Sequence, residues 1–226
     1  MAMESEGTPV ASSRTEPLDD PTPEIRRQAE PRGMRQKRKK AHSEKRIDTL
    51  LYLWEMKKIV ITGPECSGKS ELSQALADHY HMPWVPEYAR TYLTTLHRPY
   101  EASDLLAIAR GQEEGIFDRE SQFPDASWLF IDTWVVVLQI WYKYRFGVPP
   151  SFFAEMSARH HIDHYLLCSP DLPWTDDPLR ENPNDRDLLF EKYQEFLSQS
   201  KLPYTIISGR GSERTQSAIH KLESLN

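Results

Sequence analysis

Gly63-Pro64-Glu65-Cys66-Ser67-Gly68-Lys69-Ser70 restricts how this chain can fold more than any other run, because it satisfies G-x-x-x-x-G-K-[ST] in full. A β-type run, Lys58-Ile59-Val60-Ile61-Thr62, precedes it, and a helical one, Glu71-Leu72-Ser73-Gln74-Ala75-Leu76-Ala77, follows. A loop so placed joins a strand to a helix N-terminus, where main-chain amides point inward and the helix dipole attracts an anion. The expected ligand is a nucleoside triphosphate held by Gly63, Pro64, Glu65, Cys66, Ser67, Gly68, Lys69, Ser70 and Glu71. Lys69 would reach the β- and γ-phosphates, and the Ser70 hydroxyl would ligate Mg²⁺. ATP and Mg²⁺ are the cofactors this implies.

Downstream, β-type runs at 82–85, 128–132, 164–168 and 204–208 alternate with helical patterns at 88–96, 102–120, 135–144, 152–160, 186–200 and 214–223. The first strand (58–62) and helix (68–80) open that series. Such alternation predicts an α/β P-loop NTPase fold: a five-stranded parallel sheet with helices on both faces, and a lid segment. In these sheets ligands sit beyond the carboxyl ends of the strands, so chemistry is sought there.

Residues 1–51 contain no aromatic residue and five prolines, too little apolar surface to offset the entropy of ordering. The expected organisation is a disordered extension over 1–55 and one P-loop domain over 56–226, with Met56-Lys57-Lys58-Ile59 a natural start for the folded part. Residues 1–56 carry 11 basic and 10 acidic side chains, while 57–226 carry 17 and 24, a net of −7. An acidic domain is a poor nucleic-acid binder. Any such role would fall to the arm, where residues 32–46 hold eight basic side chains against one acid. Cys66 and Cys168 have neither disulfide nor zinc spacing, and no apolar leader is visible, so a reducing cytoplasm is expected. The greasiest run, 128–142, is too short to span a bilayer.

Trp128-Leu129-Phe130-Ile131-Asp132 is an apolar strand ending in a carboxylate, the shape of a Walker B element. Asp132 would hold Mg²⁺ through one of its waters, or accept a proton from an attacking hydroxyl. Glu87 and Arg90 lie three apart at a helix start after the second strand, so both can face one cleft. There the Glu87 carboxylate could hold ribose hydroxyls or act as base, with Arg90 near phosphate. Residues 169–186 form a long connection without periodic core, read as a lid whose Arg180 and Arg186 stabilise developing phosphoryl charge. Trp84 and Trp174, flanked by prolines, are candidate stacking surfaces for a ring, especially a cationic one, while Trp128, Phe130 and Trp141 read as core. His160-His161-Ile162-Asp163-His164 spans a helix end and a strand start, so its side chains should diverge rather than gather a metal. Ser208-Gly209-Arg210-Gly211 is a loop against which a flat base could lie.

Together, residues 63–70, Trp84-Val85-Pro86-Glu87-Tyr88-Ala89-Arg90, Phe130-Ile131-Asp132-Thr133, and Asp171-Leu172-Pro173-Trp174 continuing to Leu179-Arg180-Glu181-Asn182-Pro183 resemble the ribosylnicotinamide kinase domain of NadR-type NAD-metabolism proteins. The resemblance covers 57–226. It implies a P-loop kinase fold and ATP-dependent phosphorylation of nicotinamide riboside at its 5′-hydroxyl, a step of NAD biosynthesis. It also implies a lid with Arg180 and Arg186, and substrate contacts near Trp84, Glu87 and Asp132. Relatives often carry a nucleotidyltransferase and a helix-turn-helix domain; the 56-residue extension is too short for both, and no H-x-G-H motif occurs. Adenylylation and transcriptional control are therefore not expected. Two other readings remain: a kinase for another nucleoside, such as a deoxynucleoside, and a nucleotide-sensing switch.

Overall fold

Side chains alternate across each strand, and in this chain both sides of the alternation are apolar. That pattern requires a sheet covered on both faces. The structure, a computed structural model, describes residues 56–225; the expected extension over 1–55 lies outside the described residues. Strands β1 (Lys57–Thr62), β2 (Trp84–Val85), β3 (Trp128–Asp132), β4 (His164–Cys168) and β5 (Tyr204–Ile207) form one parallel sheet in the order β2-β3-β1-β4-β5. Around it lie α1 (Lys69–Tyr80), α2 (Tyr88–Thr95), α3 (Ala102–Gln122), α4 (Val135–Phe146), α5 (Ser151–Arg159), α6 (Arg186–Gln199) and α7 (Gly211–Glu223).

Two apolar clusters follow from the alternation. Ile59, Ile61, Trp128, Phe130, Leu166 and Cys168 pack with Leu72 and Leu76 of α1 and Ala218, Ile219 and Leu222 of α7. Val60, Leu129, Ile131, Tyr165 and Leu167 face the other way, onto α3, α4, α5 and α6. Register pairs Ile61 with Asp132, so the carboxylate ends its strand beside the start of the phosphate loop.

The second strand is shorter than the expected 82–85, because only Trp84 and Val85 pair with β3. The last helix begins at Gly211 rather than 214, its first turn formed by the glycine-containing loop after β5. No helix of the described residues is long and apolar enough to cross a membrane. The histidines go to separate partners. His160 bonds Glu113 at 2.9 Å and His164 bonds Thr205 at 2.9 Å, while His161 is exposed.

Candidate functional site

The loop after β1 is shaped by two glycines in the left-handed half of backbone space. Gly63 has φ 138°, and a Cβ there would lie 2.7 Å from the Cys168 carbonyl oxygen; at Gly68 (φ 74°) it would lie 2.9 Å from Leu172 Cδ1. Only glycine fits both conformation and space. Gly68 also caps α1 without a side-chain hydrogen bond, which leaves the amides of the first turn available to an anion. Ser67 Oγ donates to Pro64 O at 2.8 Å, and Lys69 Nζ donates to the same oxygen at 3.0 Å. The lysine therefore sits at the loop, its ammonium turned over the turn that would hold phosphate.

Asp132 shares strand parity with Phe130 and so points to the α1 side of the sheet. It is 1% exposed and its Oδ2 has no hydrogen-bond partner. Burial, and then the neighbouring Glu87 charge, push its carboxyl up to about 6; Lys69 and the Ser70 and Thr133 hydroxyls oppose that shift. The next residue, Thr133, adopts φ 73°, a strained state for a β-branched side chain that turns the chain sharply just past the carboxylate. An orphaned carboxylate oxygen beside a serine hydroxyl and an uncapped helix start is a hard-oxygen donor set, so Asp132 and Ser70 fit Mg²⁺.

Glu87 caps the extended entry to α2. A side chain the motifs do not contain ties the start of this helix to the end of β3. Gln112 of α3, 2% exposed, accepts from Tyr88 N at 2.7 Å and donates to Asp132 O at 3.2 Å. Arg90 pairs with Asp177 of the lid at 2.9 Å. The Leu179 amide, and after it that guanidinium, hold the Asp177 carboxyl below its usual range.

A cavity of about 410 Å³ opens onto the phosphate loop, Glu87, Arg90 and the lid; Asp132 is buried behind its wall and does not line it. Its lining runs from residues 63–71 through Glu87 and Arg90 to a compartment walled by Val137, Ile140, Trp141 and Tyr144 of α4 and Leu189 and Tyr193 of α6. Trp141, which the sequence suggests as core, does pack against the core and also walls the cavity. Its Nε1 donates to Tyr100 OH at 3.0 Å, and Tyr100 donates to Glu181 of the lid at 2.8 Å. Burial, then that bond to Glu181, push the Tyr100 hydroxyl up to about 12, which keeps it a donor.

Trp84 does not line the cavity. With Val85 packed in the cluster facing α3, the adjacent Trp84 must face the other side, where it covers the α1 cluster. Residues 169–185 contain neither helix nor strand, as expected of a lid. Arg180 lines the cavity. Arg186 does not: its guanidinium donates to Leu172 O at 2.8 Å and Cys66 O at 3.4 Å. Trp174 lies against these arginines, 6.0 Å from Arg180 and 5.9 Å from Arg186 measured to its ring centroid, rather than in the cavity. The two arginines take the place on Trp174 that was expected for a substrate ring.

Arg214 belongs to no motif of the sequence. At 4% exposure it donates to the carbonyls of Gly209 (2.8 Å) and Ser169 (3.2 Å), to Ser67 O and to the Asp171 carboxylate. It thus ties the phosphate loop to the lid base and to the loop after β5. Its one sequence signal is a place on the buried stripe Arg214, Ala218, Ile219, Leu222. Removing a buried cation strands every partner it served. Arg214→Ala is expected to destabilise the domain by about 3 kcal/mol, lowering Tm by about 10 °C in a calorimetric scan; a drop under 2 °C would contradict this placement.

A family model described as an AAA domain matches residues 58–214, and the chain belongs to that family. No curated protein sequence matches it. Among solved structures it is similar to a NadR protein in complex with NR, at TM-score 0.65 and 20% identity over 78% of this chain and 53% of that one. A NadR protein in complex with NAD and AMP-PNP gives 0.64 and 18% over 78% and 51%. A thymidylate kinase from Ehrlichia chaffeensis gives 0.54 and 13% over 74% and 99%. The chain spans about half the length of the NadR chains it matches. At these identities the likeness shows the fold alone, an α/β P-loop NTPase fold with the five-stranded parallel sheet expected from sequence.

Proposed function

We propose that this protein transfers the γ-phosphoryl group of ATP to the 5′-hydroxyl of nicotinamide riboside, forming nicotinamide mononucleotide. The observation that carries the reading is one cavity joining a phosphate-binding loop to an aromatic compartment, with Glu87 in its wall and the buried Asp132 beside Glu87, Lys69 and Ser70. Residues 63–71 would hold the triphosphate through main-chain amides and Lys69. Ser70 and Asp132 would hold Mg²⁺, which when bound neutralises phosphate charge and fixes phosphate geometry. Glu87 or Asp132 orients the acceptor hydroxyl and takes its proton, while Lys69 and Arg180 stand where charge grows on the transferring group. Trp141, Tyr144 and Tyr193 beside a carboxylate suit a flat, positively charged pyridinium better than a neutral base. The NadR structure in complex with NR and the four matching sequence segments support the same choice.

A purified-protein assay with Mg·ATP should compare nicotinamide riboside with thymidine, uridine and deoxycytidine. The expected outcome is a kcat/KM at least about tenfold higher for nicotinamide riboside, the gap that a cation–aromatic contact of ~1.4 kcal/mol produces. Faster turnover of any of the other three would overturn this choice of substrate and make the protein a kinase for another nucleoside.

A further inference from the structure

The side chain of Glu65 does not face the phosphate position that its main chain helps to form. Its Oε2 accepts hydrogen bonds from two consecutive lid amides, Glu181 N and Asn182 N, each at 3.0 Å, and Oε1 lies 3.5 Å from Asn182 Nδ2. These amides directly follow Arg180, which lines the cavity. Beyond them the Glu181 carboxylate accepts from Tyr100 OH, itself the acceptor for Trp141 of the cavity wall. Lid, phosphate loop and nucleoside wall are thereby linked through one segment, residues 180–182. The other side-chain bonds from the phosphate loop to the lid run from Cys66 to Pro173, Thr175 and Arg180, and leave those two amides to Glu65.

From this we infer that Glu65 is a positioning residue: its carboxylate seats the lid on the phosphate loop and so delivers Arg180 to the phosphoryl group in transfer. The inference deepens the proposed kinase reading and rests on it for its catalytic consequence. One side-chain oxygen that accepts from two adjacent amides fixes the direction of the segment as well as its distance. A lid that is seated only part of the time lowers kcat in proportion, whereas nucleotide held by the loop's own amides and Lys69 stays bound.

The test uses the full chain and three substitutions at this partly exposed position, none of which removes packed core. Because a single oxygen takes both amides, Glu65→Gln can reproduce the bonds through its carbonyl, while Glu65→Asp falls one methylene short and Glu65→Ala offers nothing. Hydrogen exchange read by mass spectrometry on peptides covering 179–185 should show Glu65→Ala and Glu65→Asp exchanging roughly tenfold faster than wild type, with Glu65→Gln near wild type. Turnover should follow, kcat falling roughly 10- to 100-fold in the Ala and Asp variants and recovering in Gln. The affinity for Mg·AMP-PNP, by calorimetry, should stay within about threefold of wild type. Unchanged exchange in Glu65→Ala, or a Gln variant as fast-exchanging as Ala, overturns the latch. The exchange measurement needs no substrate, so a wild-type protein inactive on nicotinamide riboside yet showing this exchange pattern would sink the kinase reading and leave the latch standing.

Discussion

Replacing Asp132 by Asn is expected to abolish phosphoryl transfer and, at the same time, to make the ligand-free protein more stable. Both effects come from one buried carboxylate. Its folded-state value of about 6 lies above the ordinary 3.8, so between those values the folded chain holds a proton that the unfolded chain has released. Stability is fully present below the ordinary value and falls as pH rises through about 6. At neutral pH the ionised group therefore destabilises the fold by about 2–3 kcal/mol. Asparagine removes that charge, and Tm at pH 7.5 should rise by about 5 °C in the absence of nucleotide. Catalysis needs the ionised form for metal or proton. Turnover by Asp132→Asn should fall by at least about 10³, and wild-type kcat/KM should drop about tenfold per unit below pH 6. Glu87 contributes to the raised value, so Glu87→Gln should move that acid limb to lower pH. An Asp132→Asn enzyme with a tenth of wild-type activity would remove Asp132 from the chemistry.

Lys69→Met should lower kcat by about 10³ and weaken ATP binding by about tenfold, with little change in Tm. In the structure the ammonium donates to Pro64 O at 3.0 Å, and its side chain is only partly buried. A bond of that kind contributes about 1 kcal/mol net, so its loss leaves the fold intact. Its charge matters when three phosphoryl oxygens share growing negative charge beside an uncapped helix start. Steady-state kinetics with calorimetric melting separates the two effects; a variant that melts early and loses activity only through unfolding would contradict the assignment.

Asp132 and Lys69 are both legible in the amino-acid sequence. The phosphate loop, Asp132 and Glu87 each follow a strand whose apolar run is plain, and strand ends in a parallel sheet share one edge. The lid is legible for the opposite reason: residues 169–185 carry prolines and charges with no period to pack. Other parts of the site need the third dimension. Helix α4 is apolar around most of its circumference, so nothing in Val135–Phe146 tells Trp141, on the cavity, from Leu138, in the core. The prolines around Trp84 suggest a cleft position, whereas strand parity with Val85 sends its ring to the opposite face. Gln112 and Arg214 stand alone in amphipathic helices. Their clue is position: Gln112 follows Leu105, Ile108 and Ala109 on the inward stripe of α3, where a polar side chain must find partners.

Titration of Mg·ATP into the purified protein by isothermal calorimetry, alongside Lys69→Met, addresses the central claim most directly: that residues 63–71 grip a triphosphate. Saturable one-site binding in the micromolar range is predicted for wild type, weakened about tenfold by the substitution. No binding heat at millimolar nucleotide across several temperatures, or equal affinity in the two proteins, would contradict it.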